Sequence, residues 1–414
     1  MKKLTDIIPD KSHTFSKAHH QYPTGISPAF ATKAKGCKLY TDIGEYTDWS
    51  MGLGPVIKGY GFEPLNQHLN SILSKGIAFS LPSLYEFEVA RKLIDSIQFG
   101  EQVRFARNGS DVTSAAVRVS RHFTQKNKII CNGYHGWQDW YIGSTSRNSG
   151  VPEEVSSQTI KINGFSKEEL GQAFNKNSDE IACLIIEPMI GDEPDIEFLE
   201  YARQLCNEYN AILIFDECWT GFRCLKTGAI GYTGVEPDLV CYAKALGNGV
   251  PVAAIVGNKN IMRGFEDVFF SFTHASDPIG IGAADFMLDY LDENFFKELS
   301  SKTRLLKTEI DHALAKITNP EFQINCTSYP GKIVMSPVEQ EYNLYLKTFI
   351  QKEFLSHNIL FNMFFAVAED HGENEIKECS DALHGAVDKL NDPAFNLVED
   401  TKQQLVKAVF RAQK

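Results

Sequence analysis

Two residues that each follow an apolar stretch, one acidic and one basic, are the best candidates for chemistry in this 414-residue sequence. A run of five apolar residues ends at Asp216, a pattern typical of a buried parallel strand that delivers a carboxylate to the edge of a sheet. A second stretch begins at Val235, has the pattern of another short strand and ends at Lys244 in a Gly-flanked turn. Open α/β sheets bind ligands at the carboxyl edge, so the acid and the amine are expected to face one crevice.

A strand-end acid with a strand-end lysine is the pair expected for pyridoxal phosphate (PLP). The Lys244 amine would form a Schiff base with the cofactor aldehyde, and Asp216 would pair with the pyridine nitrogen and keep it protonated, so that the ring can accept electrons. Each residue alone has an ordinary alternative, because surface aspartates cap turns and most lysines are solvated. The motifs around both residues favour the PLP site.

Two motifs carry a resemblance to a known family: Asp216-Glu-x-x-Thr-Gly-Phe-Arg223 and Lys244-Ala-Leu-Gly-Asn-Gly249. With this specific pair, the chain resembles the class III (subgroup II) PLP-dependent aminotransferases, and within them the glutamate-1-semialdehyde aminomutases and their polysaccharide-pathway relatives. The resemblance implies an α/β protein of PLP-dependent transferase fold type I. Its large domain would have a mainly parallel central sheet flanked by helices, and a smaller α+β domain would be formed from both termini.

The predicted domains are residues 1–55 and 292–414, which form the small domain, and residues 56–291, which form the large PLP-binding domain. Within them, the pattern of the sequence predicts a hairpin around residues 42–44. An apolar stripe predicts that one helix buries Phe87, Ala90, Ile94 and Ile97. The last predicted helix covers residues 401–410. Residues 151–175 are polar and show no periodic pattern.

A turn at Asn108 opens an alanine-containing helix and is a candidate phosphate site. Gly109 lets the backbone approach a ligand closely, and Ser110 and Asp111 are good caps. A phosphate resting on these amides would meet the positive end of the helix dipole, although an ordinary helix cap explains the same residues. By the resemblance, the Gly109-Ser110 pair grips the PLP phosphate.

The resemblance also assigns residues around the pyridine ring. Tyr134 would stack on the ring and His135 would lie in the adjacent pocket, although Tyr134 could instead fill core. Thr273 would reach the cofactor phosphate of a partner subunit, with Asp277 standing where the family has asparagine, and this contact implies an obligatory homodimer. The implied cofactor contacts are Gly109, Ser110, Tyr134, His135, Asp216, Cys218, Lys244 and Thr273.

The expected substrate contacts are less specific. By the resemblance, an arginine that binds the substrate carboxylate in the aminomutases aligns with Phe30, and an apolar ring cannot replace that charged contact. Arg147 could substitute for it. The aromatic run that begins at Trp137 is suited to sugar rings, or to packing on a neighbouring subunit. Trp49 completes the set of expected substrate residues.

These observations favour an aminotransferase that moves an amino group, from glutamate, to a keto or aldehyde acceptor such as a sugar or nucleotide sugar of surface polysaccharide synthesis. Three alternatives stay open: glutamate-1-semialdehyde 2,1-aminomutase, a PLP-dependent epimerase or decarboxylase, and a non-catalytic binding protein on the same fold. Asp216 and Lys244, both intact, weigh against the last alternative. The expected partners are a small-molecule amino donor, a carbonyl acceptor and a second copy of the chain.

Composition excludes other classes of protein. A net charge of −12 argues against non-specific nucleic-acid binding, which needs a positive field. The nine cysteines show no Cys-x-x-Cys spacing, so we expect no metal site and buried thiols in a reducing compartment. The start of the chain has no apolar segment of a signal peptide and no stretch is long enough to span a membrane. We therefore expect a cytoplasmic enzyme.

Overall fold

The computed structural model describes residues 7–408, which divide into two compact units. The sheet unit comprises residues 63–296, and the terminal unit comprises residues up to 62 together with residues from 297 onward. The sequence-based prediction placed these two boundaries after residues 55 and 291. A long helix, α11 (Glu293–Leu314), contains the second boundary.

The sheet unit is built on one seven-stranded sheet with the strand order β4-β10-β9-β8-β7-β5-β6. Its strands are β4 (Gln102–Ala106), β5 (Lys128–Asn132), β6 (Thr159–Lys161), β7 (Ile181–Ile186), β8 (Ile212–Glu217), β9 (Leu239–Tyr242) and β10 (Ala253–Gly257). Strand β10 is antiparallel to both of its neighbours, and the pairs from β9 to β6 are all parallel. The predicted mainly parallel sheet is thus confirmed.

Helices flank this sheet, because strands buried on both faces need cover on both sides. All residues of β7 and β8 are buried. The helices of the sheet unit are α1 (Glu63–Leu73), α2 (Leu84–Ile97), α3 (Gly109–Thr124), α4 (Asp139–Ile142), α5 (Glu153–Ser156), α6 (Lys167–Lys176), α7 (Ile196–Glu208), α8 (Ala229–Thr233), α9 (Lys259–Met262) and α10 (Pro278–Tyr290).

Two local predictions for this unit differ from the structure. Helix α2 buries Val89, Leu93 and Ile97. Of the predicted stripe, Ile97 is buried and Ala90 and Ile94 are partly buried, whereas the prediction was wrong at Phe87, which is 64% exposed. Two overlapping stripes fit a 3.6-residue period here, and tertiary packing selects between them. Residues 151–175 contain a short helix, an edge strand and most of α6, although their sequence has no clear period.

The terminal unit contains two smaller sheets. One has the strand order β1-β2-β3-β13 and the other has the order β11-β12-β14. The strands are β1 (Ala31–Lys35), β2 (Lys38–Thr41), β3 (Glu45–Asp48), β11 (Ile324–Tyr329), β12 (Lys332–Pro337), β13 (Ile359–Leu360) and β14 (Phe364–Ala366). The antiparallel pair β2 and β3 is the hairpin that the sequence predicted around residues 42–44.

The helices of the terminal unit follow the second boundary. They are α12 (Asn343–Ser356), α13 (Glu373–Leu390) and α14 (Leu397–Thr401), in addition to most of α11. The helix predicted at residues 401–410 is wrong as far as residue 408, because the last helix ends at Thr401, and residues 409–410 lie outside the described part of the chain. Between residues 7 and 408, no helix combines the length and the apolar character needed to cross a membrane.

Small residues on α10 let this helix approach the turn that carries Lys244. That turn is a 3-10 helix, Lys244–Gly247, and α10 packs against it. A Cβ atom on Gly280 would lie 2.6 Å from the carbonyl oxygen of Pro251, and one on Gly247 would lie 3.9 Å from the Cβ of Ala283. Because the first distance is too short for a carbon atom and involves backbone, the approach depends on glycine at position 280.

Gly280→Ala is therefore expected to lower stability by about 1–3 kcal/mol, since backbone must move to admit the methyl group. Gly385→Ala is the matched control, because a Cβ atom at Gly385 in α13 meets no atom within 4 Å. That control is expected to raise stability by roughly 0.5–1 kcal/mol through helix propensity. Thermal unfolding of both variants checks this; an unchanged midpoint for Gly280→Ala would contradict the close approach.

Candidate active site

The carboxylate of Asp216 lies at the end of β8, as the sequence predicted, and is 3% exposed. Asp216 Oδ2 lies 2.8 Å from His135 Nδ1, and Asp216 Oδ1 accepts a hydrogen bond of 3.1 Å from the amide of Cys218. Burial by itself would raise the pKa of Asp216, but the hydrogen bond and charge of His135, a hydrogen bond from the Cys218 side chain and the charge of Lys244 lower the pKa below its usual value. The carboxylate is thus held ionised in a buried site.

His135 is hydrogen-bonded to this carboxylate through one ring nitrogen, and its ring and backbone contact neighbouring residues. An ionised carboxylate can only accept, so His135 Nδ1 carries the proton and donates to Asp216. The imidazole packs edge-on against Tyr141 with the ring centroids 5.3 Å apart, and the His135 carbonyl accepts from Thr113. His135 Nε2 is buried and has no hydrogen-bond partner within residues 7–408. That nitrogen is available to a bound ligand.

The neighbouring Glu217 has the opposite electrostatic character. It is fully buried, and its carboxylate accepts hydrogen bonds from the Thr220 hydroxyl and, at 2.6 Å, from the Ala229 amide. Burial raises the pKa of Glu217 to about 7, even though both of these donors lower it. Sequence reasoning assigned no role to Glu217; its contacts show that it ties the chain after β8 to α8.

Lys244 stands at the end of β9, next to Asp216 in the sheet. The parallel pairing of β8 with β9 places Asp216 opposite Cys241, three residues before the lysine. The backbone φ of Lys244 is +46°, a left-handed conformation that is costly for a residue with a side chain and is concentrated at functional sites. Its ammonium lies 4.9 Å from the centroid of the Trp219 ring, a cation–π distance. Trp219 was also missed by sequence reasoning.

The predicted phosphate site lies at the start of α3. Gly109 is the first residue of this helix, and a Cβ atom there would lie 2.9 Å from Cys218 Sγ. The Asp111 carboxylate accepts from the amide of Asn108 at 3.0 Å, which fixes the turn. Amides in the first helical turn have no helical acceptor. The Cys218 thiol therefore limits how closely the turn at Gly109 and Ser110 approaches the end of β8.

Tyr134 is half exposed, in contrast to the buried His135 beside it. The Tyr134 amide donates a hydrogen bond of 2.7 Å to Glu187 Oε2. The Tyr134 ring packs edge-on against the Tyr141 ring, with the centroids 5.5 Å apart. A Cβ atom on Gly136 would lie 2.6 Å from the Cβ of Ser110, so this loop packs tightly on the start of α3. The Tyr134 residue is thus held by its backbone and by Tyr141, and half of it is exposed.

Thr273 lies exposed in a loop that three arginines hold in place. Arg104 and Arg118 donate to the carbonyls of Phe270 and Phe269, at 2.6 and 2.9 Å. At the other end of the loop, Arg107 forms an ion pair of 2.5 Å with Asp277.

Asp277 also caps α10, because its carboxylate accepts from the amides of Ile279 and Gly280 at 3.4 Å. Aspartate thus keeps the turn where the resembling family has asparagine. Arg107 directly precedes Asn108, so its ion pair with Asp277 joins the candidate phosphate site to the loop that carries Thr273.

The four expected substrate residues lie in different environments. Phe30 is 49% exposed and lines a cavity of the terminal unit. Contrary to the expected substrate contact, Trp49 is 0% exposed and stacks on His371 with the centroids 3.9 Å apart, because it fills the core of the terminal unit. In the sheet unit, Trp137 and Arg147 are exposed.

The residues present in the sheet unit fit PLP. Asp216 supplies an ionised carboxylate suited to a protonated pyridine, and His135 Nε2 is buried without a hydrogen-bond partner in the described chain. Lys244 supplies an amine on a strained turn, and Tyr134 supplies a half-exposed aromatic ring. The helix start at Gly109 supplies the amides that phosphate needs. This donor set matches the cofactor in each of its chemical parts.

Comparison with known proteins identifies the family and the fold of the chain. The class-III aminotransferase family matches residues 20–352. A glutamate-1-semialdehyde 2,1-aminomutase from Methanobrevibacter smithii is 35% identical over 322 residues, which cover 72% of this chain and 76% of the relative. The similar enzyme of Methanosphaera stadtmanae is 29% identical over 419 residues, which cover 92% of this chain and 99% of the relative.

A solved structure shares the fold. The FumI protein of Sphingopyxis sp., determined in its internal aldimine form with PLP, superimposes with a TM-score of 0.86 at 19% identity and covers 98% of this chain and 96% of its own. The family match covers residues 20–352, and a buried acid and a lysine lie at the ends of neighbouring strands. The chain belongs to the class-III aminotransferases and is a PLP-dependent enzyme.

Proposed function

We propose that this enzyme transfers an amino group from glutamate to a keto or aldehyde acceptor, and that the acceptor is a sugar or nucleotide sugar used in surface polysaccharide synthesis. The observation that carries the amino-transfer chemistry is the ionised carboxylate of Asp216, which is buried at the end of β8 beside the strand that leads to Lys244. The pKa of Asp216 is lowered by His135, whereas burial raises the pKa of the adjacent Glu217 to about 7. Two adjacent carboxyl groups with opposite pKa shifts have separate roles.

When bound, PLP supplies an aldehyde for an amine and a ring that accepts electrons. Asp216 holds the proton of the pyridine nitrogen through its negative charge. The released Lys244 amine would act as the general base that takes a proton from the amino-bearing carbon of the donor and delivers it to the aldehyde-derived carbon of the cofactor; in the second half of the cycle it would move a proton in the reverse direction. His135 orients Asp216, because its Nδ1–H fixes one carboxylate oxygen at 2.8 Å.

The aminomutase reaction is the second candidate, and the names of the relatives favour it. Against it stands Phe30, an apolar residue at the position where the resemblance expects a carboxylate-binding arginine. Formation of 5-aminolevulinate from glutamate 1-semialdehyde distinguishes the two reactions. An epimerase or decarboxylase is distinguished by glutamate alone, since only an aminotransferase then accumulates the amino form of the cofactor.

We also propose that the enzyme works as a homodimer. Large apolar side chains are exposed on the sheet unit, among them Leu81 at 78%, Leu84 at 73% and Phe269 at 78%, and exposed apolar surface of this kind marks protein interfaces. Thr273 lies in the same loop as Phe269 and is exposed. In a dimer this loop would bring Thr273 to the cofactor phosphate of the partner.

Lys244→Ala is expected to abolish turnover, because the Lys244 amine is the group proposed to bond to the PLP aldehyde. For the same reason, borohydride reduction should no longer attach PLP covalently to the protein. Lys259→Ala, a change at an exposed lysine of α9, is the matched control and should react like the unaltered enzyme. The absorbance of each protein is recorded before and after L-glutamate, and after borohydride in a parallel sample. Turnover of Lys244→Ala close to that of the unaltered enzyme would refute the assignment.

Asp216→Asn is expected to lower turnover at least about 100-fold, because a neutral amide does not stabilise a protonated pyridine.

Glu217→Gln should retain turnover and change the pH dependence of stability instead. The pKa of Glu217 is raised to about 7 in the folded protein. Its contribution to stability is therefore fully present at pH values below the pKa of Glu217 in the unfolded chain, and it is lost as the pH rises through 7.

Urea unfolding at pH 5 and pH 8 tests the second effect. Relative to the unaltered enzyme, Glu217→Gln should gain on the order of 2 kcal/mol between these two pH values. An equal difference at both pH values would show that Glu217 does not titrate in this range.

The ion pair between Arg107 and Asp277 should support PLP binding, because it joins the turn before Gly109 to the loop of Thr273. Arg107→Gln and Asp277→Asn are each expected to raise the PLP dissociation constant about three- to tenfold. The double variant should be little worse than the poorer single variant, since both changes break one interaction. Arg91→Gln, which removes an exposed pair with Asp95 in α2, is the control. Additive effects would contradict the coupling.

A further inference from the structure

The terminal unit contains a cavity of about 440 Å³ with an apolar floor and a basic rim. Phe30, Leu39, Leu53 and Leu360 contribute to the floor. Pockets of roughly 300–1,000 Å³ with mostly apolar walls and a few placed polar groups are typical of small-molecule sites. All of its walls come from this one unit, so the cavity can be described without reference to the sheet unit.

The rim carries unpaired positive charge. Lys11, Lys17 and His19 line the cavity and are exposed. Within residues 7–408, neither of these two lysines forms an ion pair, whereas Lys38 pairs with Glu375 at 3.3 Å and Lys58 pairs with Asp370. Two lysines without ion pairs in the described chain, beside an apolar wall in a protein of net charge −12, indicate an anionic ligand.

Among the described residues that line the cavity, one is acidic, Asp48, and it does not oppose such a ligand. Asp48 is 3% exposed and accepts from the amides of Ser50 and Met51, at 2.8 and 3.1 Å, and from the Tyr60 hydroxyl at 2.8 Å. Burial raises the pKa of Asp48 although these donors lower it. Its lone pairs are thus occupied by the protein itself, and its charge is screened from the rim.

The walls are fixed in advance of binding. The carboxylate of Asp42 accepts from the amides of Ala29 and Phe30 at 2.9 and 3.1 Å, which holds the backbone under the exposed Phe30 ring. On another side, Leu53 has a φ of +75° and Met51 a φ of +44°. Non-glycine residues in this region are strained, and such strain is typical of ligand-binding turns.

We infer that this cavity binds a phosphate-bearing small molecule whose body has a flat or apolar face. The Phe30 ring and the leucines bury that face, and Lys11, Lys17 and His19 bind the phosphate. Lysine is a point charge suited to phosphate, whereas paired recognition of a carboxylate favours the planar fork of arginine, which none of the described lining residues supplies. The inference rests on the proposed function in naming the acceptor as the natural ligand, an activated sugar being a compound of this kind.

Two probes with the same ring separate phosphate from carboxylate: phenyl phosphate and benzoate. Each is titrated by NMR into the enzyme saturated with PLP, so that the cofactor phosphate sites are already filled. Phenyl phosphate is expected to bind at least about tenfold more tightly than benzoate. The variant Lys11→Gln with Lys17→Gln should weaken phenyl phosphate about tenfold or more, and Phe30→Ala should weaken both probes.

Matched controls come from the same sheet. Lys33→Gln removes a cation of β1 that lies over Tyr40, outside the cavity, and Ile43→Ala removes an exposed apolar side chain at the hairpin tip. Neither change should alter binding. Equal affinity for the two probes, or binding unaffected by the loss of both lysines, would overturn the inference. The glutamate-driven spectral change of the same sample tests the proposed function separately, since it needs no occupant of this cavity.

Discussion

The ionised carboxylate of Asp216, buried at the end of a central strand, is the constraint on which the catalytic unit depends. A buried charge is expensive unless it is hydrogen-bonded and paired, and here His135, Cys218 and the charge of Lys244 supply those partners. The ring that fixes His135 is fixed in turn, because Tyr141 donates to the Gly133 carbonyl at 2.8 Å. The loop after β5 is therefore shaped around one negative charge.

The lysine is positioned by a different kind of constraint, the close packing of small residues. The turn at Lys244 is strained in its backbone, and it persists because α10 packs directly against it through Gly280 and Ala283. The same helix is capped by Asp277, whose second partner is Arg107. One helix thus connects the position of the amine, the loop of Thr273 and the turn before Gly109.

The two units use their charges differently. In the sheet unit, Asp216 and the arginines around the Thr273 loop are each satisfied by a named partner. In the terminal unit, Lys11 and Lys17 stand at a cavity rim without ion pairs in the described chain. Paired charges build structure, whereas cations without such partners beside an apolar wall are available to a ligand. This contrast is the physical basis for assigning cofactor chemistry to one unit and anion recognition to the other.

The sequence by itself determined the strands that carry the acid and the lysine, the mainly parallel sheet, the family and the cofactor. These features depend on local patterns, since a continuous apolar run has to be buried and a motif has fixed spacing. Its weaker results were at places where several local patterns fit. The stripe on α2 allowed two faces, and packing buried the one with Val89 and Leu93 and left Phe87 exposed.

Only the tertiary structure decided which polar groups meet. Asp216 and Glu217 are adjacent in sequence and both are buried, which by itself raises the pKa of a carboxyl group. His135, far along the chain, brings the pKa of Asp216 below its usual value, whereas burial keeps the pKa of Glu217 raised. Trp49 looked suited to a substrate but stacks inside a core on His371, a residue 322 positions away by number. Burial and pairing are properties of the assembled surroundings, so a residue's type and spacing could propose these side chains but could not assign their environments.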